Sequence, residues 1–135
     1  MVDEMDLSEE RKWLYEERAR AAVANLQKRN INAQYVSSRE EALSVVLGMI
    51  PEGVTVARGD SVTLEQIGVI DELRKRNKYK FIDPFARTED GFYVIDKEPR
   101  IRMQREAFSA ADVFLTGTNA VTLDGNLVNV DGFGN

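Results

Sequence analysis

The chain has 135 residues, 43% hydrophobic and 30% charged, which fits one globular domain able to bury a real core. Its net charge of -5 disfavours nucleic acid and anionic membranes as partners, because holding a polyanion takes basic charge. Cysteine and histidine are both absent, which excludes disulfides, thiolate nucleophiles, Ser-His triads and nearly all zinc sites. Any catalytic proton transfer falls to a carboxylate, lysine, tyrosine or water, and no metal site is expected beyond a hard, oxygen-liganded ion such as Mg²⁺.

From the N-terminus, Met1–Asp6 is acidic and unlike a signal peptide. Asp6-Leu-Ser-Glu9 reads as a capping box that opens a helix to about Lys28. Tyr15, Ala19, Ala22, Val23 and Leu26 share one face of it, widened by Trp13 and Leu14. Asn30 stops the helix, and Asn32–Val36 reads as a short strand. Ser37-Ser-Arg-Glu40 is a second capping box, opening a helix to about Met49. The longest apolar run, Ala42–Ile50, is interrupted by Ser44 and Gly48 and is too short to span a bilayer. A cytoplasmic protein is therefore expected.

Pro51-Glu-Gly53 is a turn, and Val54–Ala57 a β-branched strand. Arg58–Glu65 leads into a helix running to about Arg76, with Leu64, Ile67, Ile70 and Leu73 facing inward. Gly68 inside that helix costs about 1 kcal/mol relative to alanine. The basic run Arg74–Lys80 reads as cations gathered at a helix C-terminus rather than as a phosphate or RNA patch. Lys80–Asp83 is a strand ended by Pro84. An irregular stretch follows, with a turn at Glu89-Asp-Gly91. Glu98–Phe108 reads as a helix and Ala111–Leu115 as a strand. Ala120–Leu123 and Leu127–Val130 flank Asp124-Gly125-Asn126, a tight hairpin signal. This order predicts an α/β fold: a parallel sheet covered on both faces, with a terminal β-hairpin.

Ligands of open α/β sheets collect beyond the carboxyl ends of the strands. Two stretches are predicted to lie there. In Gly59-Asp-Ser-Val-Thr63, free helix amides together with Ser61 and Thr63 could face an anion. Asp60 or Ser61 could equally cap those amides, and Asp60 would compete with an anion for them. In Thr116-Gly117-Thr118-Asn119, Asn119 offers a donor and an acceptor, or else starts an Asx-turn into the hairpin. The third feature is Asp131-Gly132-Phe133-Gly134-Asn135. Asp131 is a candidate general base or metal ligand, with a loop-capping role as the competing reading. These three bends are expected to converge at one rim of the sheet.

Taken in order, three stretches resemble the LUD domain of lactate-utilisation proteins. They are Gly59-Asp-Ser-Val-Thr-Leu-Glu-Gln-Ile-Gly68, Ala111-Asp-Val-Phe-Leu-Thr-Gly-Thr-Asn-Ala120 and Thr122–Asn135. Arg18, Ala19 and Leu26 of the leading helix add to the similarity, which covers nearly the whole chain after about residue 10. The resemblance implies a three-layer α/β/α fold like that of sugar-phosphate isomerases and coenzyme A transferases. It also implies a part in oxidising L-lactate to pyruvate beside iron–sulfur partner proteins. The family's glycine and Ser-Thr turn maps to Gly59, Ser61 and Thr63, its Thr-Asn turn to Thr118 and Asn119, and its D-G-x-G-N motif to Asp131, Gly132, Gly134 and Asn135; it brings no settled active site or cofactor. Asp60 stands where the family usually has a second glycine. Members continue past Asn135 with an arginine and further strand–helix units, so residues 1–135 are expected to form a single, incomplete LUD-like domain that self-associates through exposed edges. The function expected is a lactate-utilisation component that binds a small anionic metabolite or a redox partner. The alternatives are an independent enzyme on a sugar phosphate or acyl-coenzyme A, and a non-catalytic assembly module.

Overall fold

A computed structural model describes residues 6–130 and Gly132. These fall into two compact units, one holding the chain up to Val36 together with Thr118–Gly132, the other holding Ser37–Gly117.

The larger unit is built on three parallel strands, β1 (Thr55–Arg58), β2 (Lys80–Ile82) and β3 (Val113–Leu115), in the order β2-β1-β3. Register places Val56 beside Phe81 and Val113, and Ala57 beside Ile82 and Phe114. Side chains alternate across a pleated sheet, so these two rows serve opposite faces. Val56 packs into a core with Leu64, Val69, Ile70 and Leu73, joined by Leu43, Val46 and Leu47. Those residues come from α2 (Arg39–Met49), α3 (Val62–Gln66) and α4 (Val69–Lys75). Ala57 and Ile82 pack with Ala107 and Met103 of α5 (Lys97–Ala110). The unit therefore has helix, sheet and helix layers, as the sequence predicts. Full burial of Val56, Val69, Ile70 and Leu73 stabilises each by about 1.5–3 kcal/mol relative to exposure.

Two local readings shift. The helix predicted to follow from Arg58–Glu65 and run to about Arg76 is broken at Gly68, whose φ of 79° is left-handed. Its amide donates to the Glu65 carbonyl (3.0 Å) and its own carbonyl accepts from Glu72 (3.3 Å). Gly68 thus ends α3 and starts α4, and the turn lets Leu64, Val69, Ile70 and Leu73 all reach one core. The second capping box is offset by one residue. Ser38 accepts from the Glu41 amide (3.1 Å), and the Glu41 carboxylate accepts from the Ser37 amide (2.9 Å).

The smaller unit holds α1 (Ser8–Lys28) and an antiparallel hairpin of β4 (Ala120–Val121) and β5 (Leu127–Val128). Asp6 accepts from the Ser8 amide, but the cap residue is Leu7, with no side-chain bond, so the predicted box does not close. The predicted apolar face is only partly used: Leu26 is buried, Ala19, Ala22 and Val23 are half-buried, and Trp13, Leu14 and Tyr15 are exposed. Asn30 ends the helix at φ 62°. Residues 32–36 form no strand; Gln27 takes the Ala33 carbonyl instead (2.9 Å). The hairpin turns through Thr122–Asn126 with Gly125 left-handed. A Cβ there would lie 2.7 Å from the Asn25 carbonyl carbon, so glycine permits both the turn and its seat on α1. Asn25 Nδ2 fastens that seat by donating to the Leu123 carbonyl (2.7 Å).

Candidate functional site

The carboxyl ends of β1, β2 and β3 share one edge of the larger unit because the strands are parallel. The exits of β1 and β3 are stitched together, since the Gly59 amide donates to the Leu115 carbonyl (2.9 Å). A Cβ on Gly117 would stand 2.6 Å from Ser61 Oγ. Gly59, Ser61 and Gly117 are thus brought together, with Thr116 in the same segment. Ser61 caps α3 by accepting from the Leu64 amide (3.4 Å), the capping contact weighed for this turn. With five residues, α3 is too short for its dipole to make an anion site. Thr63 is exposed, in the first turn of that helix.

The other predicted residues fall in the smaller unit or outside the described residues. Thr118 and Asn119 belong to the smaller unit. There Asn119 Oδ1 accepts from the Val130 amide (2.8 Å), closing the base of the hairpin. Gly132 is in that unit too, while Asp131, Gly134 and Asn135 lie outside the described residues.

A cleft of about 320 Å³ opens beside the β1 exit, lined by Asp60, Ser61, Val62, Glu65, Arg74 and Arg87. That volume is within the range of small-molecule sites. Arg74 and Arg87 bring guanidinium groups that are 40% and 42% exposed. Arg74 comes from the last turn of α4 and pairs with Asp83, just past β2. Arg87 comes from the loop after β2, which folds back on itself through the Arg87–Tyr93 bridge.

The Asp60 carboxylate is not on the helix amides. It accepts from Arg87 Nη2 (2.8 Å) and from the Tyr93 hydroxyl (2.8 Å), and Arg87 Nη2 also donates to that hydroxyl (2.7 Å). The Arg87 and Arg100 guanidiniums stand 4.0 and 3.7 Å from the centre of the Tyr93 ring, close enough for cation–π attraction. The hydrogen bond to Asp60, aided by desolvation, pushes the Tyr93 phenol above its ordinary range. Desolvation works to lower the Arg87 guanidinium, but the bond and charge of Asp60 outweigh it and the group is raised.

Beneath this surface Arg58 is 1% exposed. Its Nε donates to Asp83 (2.7 Å) and its Nη1 to Glu65 (2.6 Å). Asp83 therefore joins Arg58 to Arg74, and Glu65 joins Arg58 to the cleft wall. A buried charge is tolerable only when paired in this way. Sequence reasoning singles out neither Arg58, Arg87 nor Tyr93, and Arg74 only within the basic run Arg74–Lys80. The available signal was a charged residue closing the apolar run Val54–Ala57. Among the described residues, no group of three or more carboxylates could hold a metal ion, and no helix is long and apolar enough to cross a membrane.

A family model described as LUD domain matches residues 19–135. No curated protein and no solved structure matches the chain.

Proposed function

The chain belongs to the LUD domain family, which is associated with lactate-utilisation proteins, and from that membership we propose that it is a component of L-lactate oxidation to pyruvate. The cleft beside the β1 exit receives the carboxylate of a small hydroxy or keto acid. The observation that carries this reading is the pair of half-exposed guanidiniums, Arg74 and Arg87, lining the same cleft as Ser61. Charge-assisted bonds from arginine suit a planar carboxylate, and Ser61 adds a donor for the neighbouring hydroxyl or keto oxygen. Asp60 holds Arg87 until the ligand's carboxylate replaces it.

Lactate oxidation removes two electrons and two protons. These residues contain no cysteine, so they cannot ligate an iron–sulfur cluster through thiolates. The electrons pass to iron–sulfur partner proteins in the cytoplasm. In this reading Thr116 and Gly117, past β3 and beside Ser61, complete the ligand's surroundings.

Calorimetric or NMR titration with L-lactate and pyruvate tests it. Saturable binding is expected, weakened at least about tenfold in Arg87→Gln, a loss of about 1.4 kcal/mol. Failure of both acids to bind at 10-millimolar order would remove the basis for the reading. So would unimpaired growth on L-lactate of a host strain lacking the gene.

A second reading rests on the same two guanidiniums, which would also take a phosphate. An independent enzyme on a sugar phosphate or acyl-coenzyme A would show in a thermal-shift panel. A ligand at 100 times its dissociation constant adds about 2.7 kcal/mol, so a response to phosphorylated compounds and none to lactate or pyruvate would favour it.

A further inference from the structure

A second, smaller cavity lies against α5 in the larger unit. Arg58 and Gln104 line it, together with the rings of Phe85, Phe108 and Phe114. It offers about 10 Å³ to the centre of a water molecule. Arg58 Nη2 and Gln104 Nε2 are both buried donors with no hydrogen-bond partner among the described residues. Their side chains belong to residues 1% and 9% exposed. Two unanswered donors on residues that line one apolar hollow are costly, because each has given up water for nothing. We infer that this hollow is a built site for a single neutral hydrogen-bond acceptor, one water molecule, bridging Arg58 Nη2 and Gln104 Nε2.

Size and charge select that guest. The space is at the lower limit for one water and too small for any metabolite. An anion would also match two donors, but Arg58 already faces the carboxylates of Asp83 and Glu65. A third negative charge beside them meets repulsion, chiefly from Asp83, whose side chain is 11% exposed. A water oxygen brings two lone pairs for two donors and no net charge. Held at its third nitrogen as well, the Arg58 guanidinium keeps a fixed plane. That plane sets the positions of Glu65 and Asp83, so the water is a positioning element of the rim above it.

A crystal structure of the protein, with a second crystal soaked in sodium bromide, tests the assignment. The expected result is one density peak within hydrogen-bond reach of both nitrogens, without anomalous bromide signal. A bromide peak would replace water by an anion and overturn the inference. Direct contact of Gln104 Oε1 with Arg58 Nη2 and nothing between them would also overturn it. In solution, Gln104→Met keeps the length of the side chain and removes its amide. Magnetic relaxation dispersion of ¹⁷O should register one fewer long-lived water in that variant than in wild type, with the thermal midpoint lower by about 3–6 °C. An unchanged count of long-lived waters would sink the proposal, whatever the midpoint does.

Discussion

Arg58 ends the central strand and its Nε donates to Asp83 Oδ1, 2.7 Å away at the exit of the neighbouring strand. The guanidinium is 1% exposed and the carboxylate 11%, whereas the second partner, Glu65, is 46% exposed. The Asp83 bond therefore dominates, since solvent screens the Glu65 branch. Arg58→Ala leaves a half-buried carboxylate that has lost one of its two cations. The expected loss is about 3 kcal/mol, the low end for breaking a buried pair, because Arg74 remains on Asp83. Arg58→Lys keeps the charge but not the fork and should fall between the two. Urea unfolding measures both.

Gly68→Ala separates two descriptions of the segment. In a continuous helix it would stabilise by about 1 kcal/mol. At a left-handed φ of 79° it should instead destabilise by about 1–2 kcal/mol. The nearest atom to the added Cβ is Leu43 Cδ2 at 3.9 Å, so there is room and the cost is conformational. The sign of the change in denaturation midpoint decides.

Gly117→Ala presses a methyl against Ser61 Oγ. The short side chain can rotate away, but it then releases the Leu64 amide it caps. Loss of that cap costs about 1 kcal/mol. Ser61→Ala alone should cost a similar amount, and the two substitutions together clearly less than their sum. Additive losses would show that the two exits do not communicate through this contact.

The Tyr93 phenol should titrate above its ordinary value of 10.0, because Asp60 holds its hydroxyl. A raised value in the folded state favours the neutral form there. Its contribution to stability is whole below the unfolded value and fades as pH climbs through the folded one. Ultraviolet titration of tyrosinate should lose its highest component in Tyr93→Phe. That variant should also be less sensitive to alkaline unfolding than wild type.

Asp60→Asn removes the carboxylate that occupies Arg87. If a ligand's carboxylate takes that place, the variant should bind lactate or pyruvate more tightly, by about tenfold. Titration against wild type checks this. Weaker binding would mean that Asp60 contacts the ligand rather than competing with it.

Much of the layering could be read from the sequence alone. The β-branched run Val54–Ala57, the Pro51-Glu-Gly53 turn, the inward set Leu64, Ile70 and Leu73, and the Asp124-Gly125-Asn126 hairpin are all local signals, and each element forms where they point. Periodicity and turn chemistry act between residues only a few positions apart, so a single chain displays them. The broken helix and the unformed strand at residues 32–36 did not follow from propensity. The first bends so that one core can collect both halves, and in the second the Gln27 side chain takes the Ala33 carbonyl.

The chemistry of the rim was decided by the tertiary fold. Arg58 meets Asp83 across 25 positions of sequence, Arg87 meets Asp60 across 27, and Tyr93 meets Asp60 across 33. No spacing rule links such residues. Each looks like an ordinary charged or aromatic side chain until the parallel strands bring their exits to one edge. Burial then obliges charges to find partners, and which partners they find depends on strand order, β2 beside β1, which only the folded sheet specifies.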